Sequence, residues 1–476
     1  PAGPSIACHV TSVLMPGRLG PAGYSLGLLA TLLLSFGPSF ILTSRHPTFP
    51  NARLQRLTSR NRVVGHSMLG ATAASRAFAR LPSLGRSVPH ALQLKQQARA
   101  MAVHRTAEAR PGLTDAPLLE ELKAAAYAVR LASGLCQVAQ QQLSESEKVD
   151  KLDDSPVTVA DYAAQAVVAW ALSRSPAATQ GAGLRLSMMA EENTTSLRQP
   201  EGLPMLLRIT DLVRGVIRTE DPSHAAVTPE DVLSLIDLGE SDGGSAGRHW
   251  VLDPIDGTRG FVGMRQYSCC LALIQDGVVE LGLLGCPNLP QGKVDPTTSG
   301  DSNSMARGLT EGHGVLFLAH RGYGSYKASL EGQKDLIDVE PISMLESGHP
   351  LVMESFETRH SDHSFTSSIA TEMGISGPTL RMDSQVKYGL MSRGDSAAIF
   401  MRFPPASYTE KIWDHAPGFV IVEEAGGLVT DASGTRLDFS KGRYLALDRG
   451  IIAAPRALHA RVIQAIQVVD ARKTAP

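Results

Sequence analysis

Asp253-Pro254-Ile255-Asp256-Gly257-Thr258 follows a short apolar segment, residues 248–252, which predicts a β-strand that stops at Asp253. Pro254 has no backbone N–H with which to continue a strand, and Gly257 allows the chain to turn. Two carboxylates three residues apart in such a turn can converge on one point, where the carbonyl of Ile255 can join them. Hard oxygen ligands in this arrangement suit Mg²⁺ or Mn²⁺. A tight acidic turn without a ligand fits the same six residues equally well.

Two acidic positions lie N-terminal to this turn. Glu191 and Glu192 follow a strand predicted over residues 184–188, and taken alone they are typical of a solvated loop. Asp161 opens a helix predicted over residues 162–173, and taken alone it is a helix N-cap. A helix that begins after Thr258 would place free N–H groups beside the turn, where a phosphate could rest.

A fourth acidic position lies near the C-terminus. Asp414 precedes an apolar helix predicted over residues 419–425, and as the N-cap of this helix it explains why Pro417 is tolerated in the first turn. A capping role does not exclude a metal, because a carboxylate has two oxygens with several lone pairs.

The charge of the chain is distributed unevenly. The formal net charge is −2, yet residues 1–107 contain no Asp or Glu and carry 12 of the 45 basic residues. Residues 108–476 therefore carry about −14, from 33 basic and 47 acidic residues. A domain with this charge needs bound cations to attract a polyanionic substrate, which favours metal ions.

The acid-free segment has the Arg-rich, Ser/Ala-rich composition of an organelle transit peptide. Within it, the uncharged run 24–43 is just long enough to span a bilayer, and a membrane anchor is the alternative interpretation. The chain does not begin with Met, so Met68 or Met101 are alternative starts. We predict an N-terminal extension over 1–112, an α+β part over 113–290 and an α/β part over 291–476.

The rest of the chain predicts a soluble protein of the α/β class. Helices are predicted over 118–142, 162–173 and 229–236, and the Asp276-Gly277 turn predicts a hairpin of strands 267–275 and 278–284. The segment 291–314 is predicted to be a surface loop. Beyond it, strand-like and helix-like segments alternate, which indicates layers of sheet and helix. The strand-like segments are 314–319, 350–354, 397–401 and 450–454, and the helix-like segments are 366–373, 415–425 and 457–469.

The five cysteines form no CxxC pair and are odd in number, so the sequence suggests neither a zinc site nor a secreted disulfide framework. Cys269 and Cys270 are adjacent in an apolar run, where buried, unreactive thiols are the favoured interpretation. Redox control through Cys286 with one of these two residues is the alternative.

With these residues in view, the sequence resembles the inositol monophosphatase superfamily of lithium-sensitive Mg²⁺ phosphatases, from about residue 115 to the C-terminus. Four longer stretches resemble its 3′(2′),5′-bisphosphate nucleotidase branch: 155–165 (SPVTVADYAAQ), 285–289 (GCPNL), 383–388 (DSQVKY) and 410–415 (EKIWDH). The resemblance implies an α/β fold, a layered α/β/α/β/α sandwich of the sugar-phosphatase type. The sequence departs from the usual family pattern at Ala190, Arg259 and Pro417.

The resemblance also implies a role for each matching position. Two or three Mg²⁺ ions would be held by Glu191, Asp253, the Ile255 carbonyl, Asp256 and Asp414. Asp161 and Thr258 would orient and deprotonate the attacking water, and the phosphate would rest on the N–H groups of Gly257 and Thr258. The nucleotide pocket would be formed by His360, Ser384, Lys387, Arg402, Tyr408 and Lys411.

The implied reaction is hydrolysis of 3′-phosphoadenosine 5′-phosphate to AMP and phosphate, and of the related 3′-phosphoadenylyl sulfate, a step of sulfur metabolism. An inositol phosphate phosphatase is the alternative within the class, and a catalytically idle nucleotide sensor is the alternative outside it. The expected partner is a small nucleotide rather than a nucleic acid polymer or a membrane, and the expected state is a monomer. A chloroplast or mitochondrial location is expected, with the cytoplasm as the alternative.

Overall fold

The computed structural model describes residues 112–142, 148–150, 156–179, 186–224, 226–294, 314–331, 338–345 and 348–474. All of these residues belong to the second of two units into which the chain divides, Gly85–Pro476. The run 24–43 and most of the predicted loop 291–314 lie outside the described residues. Among the helices of the described part, none combines the length and the hydropathy that a bilayer crossing requires.

The first layer consists of helices. The predicted helices at the start of the domain are confirmed as α1 (Leu119–Gln141), α2 (Val159–Ser173) and α4 (Pro229–Asp237). A short antiparallel pair, β1 (Lys148–Asp150) and β2 (Pro156–Thr158), precedes α2. Between α2 and α4 lies α3 (Leu203–Glu220), where no helix was predicted from the sequence.

A seven-stranded sheet follows, in which neighbouring strands are also consecutive in the sequence. β3 and β4 are parallel, and all later neighbours are antiparallel. The predicted hairpin is confirmed as β5 and β6, and its turn has positive φ at both Asp276 and Gly277, as a type I′ turn requires. The strands are β3 (Met188–Ala190), β4 (Arg248–Asp256), β5 (Ser268–Gln275), β6 (Val278–Cys286), β7 (Val315–His320), β8 (Gly324–Ser329) and β9 (Glu340–Ile342).

The C-terminal alternation of strands and helices is confirmed as a second, five-stranded sheet in the order β11-β10-β12-β14-β13. Its strands are β10 (Pro350–Ser355), β11 (Leu380–Met382), β12 (Ala397–Arg402), β13 (Gly427–Asp431) and β14 (Ile451–Pro455). Its helices are α6 (His363–Glu372), α7 (Val386–Ser392), α8 (Ala416–Glu424) and α9 (Arg456–Thr474), and the short α5 (Thr258–Val262) follows β4. The division of the chain at residue 290 stays a prediction.

Alternate residues of the strands belong to different cores, and this alternation shows the layers. Leu271 and Leu273 of β5 pack in a first core with α1 and α2, whereas Cys270 and Ala272 pack in a second core with α8. Phe400 of β12 faces this second core, and its neighbours Ile399 and Met401 face a third core with α6 and α9. The order is therefore helix, sheet, helix, sheet, helix, which confirms the predicted α/β/α/β/α sandwich.

Candidate active site

The carboxylates that the sequence analysis selected lie around one cavity of about 380 Å³. Every residue given a role lines this cavity except Asp161, which is buried behind Thr258. The predicted residues on its wall are Glu191, Asp253, Ile255, Asp256, Gly257, Thr258, His360, Ser384, Lys387, Arg402, Tyr408, Lys411 and Asp414. The fold therefore brings together residues that lie more than 200 positions apart in the sequence.

The strand that carries the central acids was predicted to stop at Asp253, but it continues as β4 to Asp256. Asp253 pairs with Cys270 and Asp256 with Ser268, so three steps along β4 match two steps along β5. This β-bulge adds one residue to the acidic strand. In a regular strand two residues three apart point to opposite faces, and the extra residue allows both carboxylates to reach the same cavity.

The turn after β4 is held against another segment of the site. Gly257 has φ 85°, and a Cβ on it would lie 2.9 Å from the Cβ of Ser384. Ser384 is itself in the left-handed region, with φ 64°. Its conformation directs the next N–H, that of Gln385, at Oδ2 of Asp256 over 2.5 Å. Gly257 is therefore required both by its φ and by the close approach of the neighbouring chain.

Asp161 was predicted to be the N-cap of α2, but Thr158, three residues earlier, caps this helix. Oδ2 of Asp161 accepts bonds from the Thr158 N–H at 2.8 Å and from the Thr158 hydroxyl at 2.6 Å, which forms a capping box. Oδ1 accepts a bond from the Thr258 hydroxyl at 3.3 Å. Thr158 thus fixes Asp161, and Asp161 contacts Thr258 at the cavity wall.

Burial and repulsion act on the acids of the cavity. Burial, followed by the charge of Asp414, raises the pKa of Asp256 to about 7, although Lys387 and Arg402 oppose the shift. Burial, followed by the charge of Glu410, raises the pKa of Asp414. Carboxylates in this situation favour a bound cation, because it offsets both effects. The cavity residues therefore fit a divalent metal with hard oxygen ligands.

A second group of potential metal ligands shares Asp414 with the cavity, but its other two members are bound to protein groups. Glu410, Asp414 and His415 have potential ligand atoms within 4.8 Å of one another. However, Glu410 accepts bonds from Arg402 at 2.6 Å and from His415 at 2.9 Å, and the other ring nitrogen of His415 is bound to the Tyr388 hydroxyl at 2.9 Å. These groups form a buried polar network behind Asp414. Asp414 was predicted to be the N-cap of α8, but His415 occupies that position.

Several cations also line the cavity. Lys387 donates to the carbonyls of Met382 at 2.8 Å and Ser384 at 2.6 Å, and burial lowers its pKa to about 8. Burial, with the charges of nearby cations, lowers the pKa of His360 to about 4. The cations that act on His360 include two that the sequence analysis did not select, Arg259 and Arg359.

Gln165 and Gln385 lie within the family-like stretches 155–165 and 383–388, but neither was predicted to have a role. Both side chains are buried and bind the backbone beside predicted metal ligands. A single polar residue within the apolar run of α2 is the signal that could have identified Gln165. Arg443, which binds the Ala190 carbonyl and stacks 4.7 Å over the Trp413 ring, had no comparable signal.

The described cysteines lie in the cores as free thiols. Burial raises the pKa of Cys136, Cys270 and Cys286, which keeps these thiols protonated and unreactive. The Sγ atoms of Cys136 and Cys269 lie 3.9 Å apart. The proposed redox pairs with Cys286 have no such contact among the bonds described.

Comparisons with known proteins identify the family of this chain. Residues 206–471 match the model of the inositol monophosphatase family. A 3′(2′),5′-bisphosphate nucleotidase of Oryza sativa is 44% identical over 354 residues, which cover 74% of this chain and 94% of that protein. The 3′(2′),5′-bisphosphate nucleotidase 1 of Arabidopsis thaliana is 44% identical, with 73% of this chain and 96% of that protein covered. A 3′(2′),5′-bisphosphate nucleotidase of Emericella nidulans is 38% identical, with 70% and 94% covered.

Proposed function

The chain belongs to the inositol monophosphatase family, and we propose that it is a Mg²⁺-dependent phosphatase that converts 3′-phosphoadenosine 5′-phosphate to AMP and phosphate. The observation that carries this proposal is the convergence of the four predicted ligand carboxylates and several cations on one cavity. The names of the relatives support the choice of substrate class. Hydrolysis of 3′-phosphoadenylyl sulfate is part of the same proposal.

The acids of the cavity would hold the metal ions. One ion would bind Glu191, Asp253 and the Ile255 carbonyl, and a second would bind Asp253, Asp256 and Asp414. A third, weaker ion near Asp161 is part of the proposal. Mg²⁺ in such a site supplies positive charge to the phosphoryl oxygens and lowers the pKa of a water molecule.

Asp161 and Thr258 would orient the attacking water. The Thr258 hydroxyl has one hydrogen, and when it donates to Asp161 its lone pairs remain available to accept a bond from water. Oδ2 of Asp161 already accepts two bonds from Thr158, which hold the carboxylate in place beside Thr258. The N–H groups of Gly257 and Thr258 would hold the phosphate that is attacked.

The cations on the cavity wall would hold the second phosphate, which is not cleaved. Lys387 and Arg402 are fixed by protein partners, so they would act as pre-organised positive charge. His360 is neutral at pH 7 and would donate a hydrogen bond rather than a charge. Arg259 and Arg359 add to this positive wall. Ser384, Tyr408 and Lys411 would contact the nucleoside.

The proposal is tested by phosphate release from 3′-phosphoadenosine 5′-phosphate with Mg²⁺, with and without Li⁺, beside inositol 1,4-bisphosphate and inositol 1-phosphate. We expect faster release from the nucleotide, a requirement for Mg²⁺ and inhibition by Li⁺. Faster release from the inositol phosphates would favour the alternative substrate. Tight nucleotide binding without hydrolysis of any of these substrates would favour a nucleotide sensor.

We also propose that the acid-free segment 1–107 directs the protein to a chloroplast or a mitochondrion. Its composition supports this proposal. N-terminal sequencing of the mature protein from fractionated cells tests it. A mature chain that retains this segment in the cytoplasm would contradict it.

A further inference from the structure

We infer that two buried glutamines are positioning residues for two different metal-binding segments. Gln165 fixes the segment of Glu191, and Gln385 fixes the segments of Asp256 and Asp414. This inference rests on the proposed metal-dependent function. Neither glutamine lies among the proposed ligands. Gln165 acts through its side chain on the backbone beside Glu191, whereas Gln385 acts through its own N–H on Asp256 and through its side chain on the backbone beside Asp414.

Gln165 lies on α2 and is fully buried. Its side-chain amide donates to the Glu192 carbonyl at 2.8 Å and to the Ile236 carbonyl at 3.0 Å, and its oxygen accepts a bond from the Glu192 N–H at 3.0 Å. One side chain therefore binds both backbone polar groups of the residue next to Glu191. This contact holds the end of β3 against the helical layer and fixes the position from which Glu191 reaches the cavity.

Gln385 joins the two segments that carry the other proposed ligands. Its N–H donates to Oδ2 of Asp256 at 2.5 Å. Its side-chain amide donates to the carbonyl of Trp413, the residue before Asp414, at 2.8 Å. Its side-chain oxygen accepts a bond from the Gly418 N–H at 3.0 Å. Gln385 thereby holds Asp256 and the Asp414 segment in a fixed relation, against the repulsion of their charges.

A neutral amide suits both positions because it offers a donor and an acceptor on one planar group. Methionine has a similar size but can neither donate to the carbonyl nor accept strongly from the N–H. Glutamate keeps the shape but places an oxygen against the carbonyl that glutamine binds. Changes in residues that orient metal ligands typically weaken metal binding by about 10–100-fold.

The test is Mn²⁺ binding to the metal-free full chain, measured by electron paramagnetic resonance and calorimetry. Apart from the weak third site proposed near Asp161, we expect two classes of Mn²⁺ site in the wild type. Gln165→Met should weaken one class by about 10–100-fold, and Gln385→Met should weaken the other by a similar factor. Gln165→Glu and Gln385→Glu repeat the test with the shape preserved, in case a methionine variant fails to fold.

A ligand variant assigns the two classes. Glu191→Gln should remove the site that Gln165 positions. In this background Gln165→Met should add no further loss, whereas Gln385→Met should still weaken the remaining site. The opposite pattern would overturn the assignment of each glutamine to its segment.

Gln140 offers a matched control. It is 6% exposed, donates to the Phe261 carbonyl at 2.8 Å and accepts a bond from Asn288 at 3.2 Å. Gln140→Met should lower the melting temperature but leave both Mn²⁺ affinities unchanged. If Gln165 and Gln385 variants behave in the same way, their role is structural only and the inference is wrong. A wild type that binds no Mn²⁺ would remove the proposed metal-dependent function itself.

Discussion

Replacement of Gly257 by alanine tests whether the acidic turn depends on its contact with Ser384. A non-glycine residue in the left-handed region costs about 1–2 kcal/mol. The new Cβ would lie 2.9 Å from the Ser384 Cβ and 3.2 Å from the Ser384 nitrogen, so this segment has to move. If the movement breaks the bond between the Gln385 N–H and Asp256, it costs a further 1.5–3 kcal/mol, roughly. The sum is a loss of about 2.5–5 kcal/mol of stability.

Gly374 provides the control for backbone strain alone. It has φ 73°, and a Cβ on it would meet nothing within 4 Å. Gly374→Ala should therefore lose only about 1–2 kcal/mol in urea unfolding and keep full activity. Gly257→Ala should lose more, and its kcat/KM for 3′-phosphoadenosine 5′-phosphate should fall by about 100-fold, because a displaced Asp256 misplaces the catalytic groups.

The comparison of the two alanine variants decides the outcome. Equal losses of stability, with kcat/KM unchanged in both, would show that the contact between Gly257 and Ser384 has no consequence. The described packing of the acidic turn against the Ser384 segment would then be wrong, since this contact joins the proposed metal-binding turn to the proposed nucleotide pocket.

Three further predictions concern groups away from this turn. Asp395→Asn should lower the free energy of unfolding by about 3–5 kcal/mol and leave kcat/KM unchanged, because it breaks a buried ion pair with Arg393 outside the cavity; equal stability in urea would contradict this. The pKa of His360 is lowered to about 4, so its NMR ring signals should not shift between pH 8 and 5.5. A His360→Gln variant assigns these signals. Because the unfolded chain binds this proton and the folded chain does not, the contribution of His360 to stability should fall as the pH drops from 6.5 towards 4; a midpoint near 6.5 would refute it. Iodoacetamide should label the buried thiols quickly in urea but slowly in the native protein, as mass spectrometry can show for Cys136, Cys270 and Cys286.

Much of the layered fold follows from local patterns in the sequence. Helix α1 has regular apolar spacing and strands β5 and β6 flank a strong turn signal, so both were predicted almost to their ends. Helix α3 was missed, although Leu206, Val213 and Ile217 lie on its buried face. The five charged residues of this helix, two of them exposed, obscured this stripe, which only packing against α2 makes evident.

The candidate site was predictable in its acids but less so in its geometry. The convergence of Asp253 and Asp256 depends on a β-bulge, which is defined by pairing with β5 and not by β4 alone. The N-caps assigned to Asp161 and Asp414 were wrong because neighbouring residues determine where these helices begin. The roles of buried amides depend on contacts between segments that are distant in the sequence.

The proposed metal site is tested most directly by Mg²⁺-dependent phosphate release from 3′-phosphoadenosine 5′-phosphate by the Asp256→Asn variant. The substitution removes a charged ligand while preserving the size of the side chain, and we predict a loss of at least about 1,000-fold in kcat, together with weaker Mn²⁺ binding. Asp211→Asn, a change on the exposed surface of α3, should keep the wild-type rate. An Asp256→Asn variant that releases phosphate at the wild-type rate would contradict the proposed metal site.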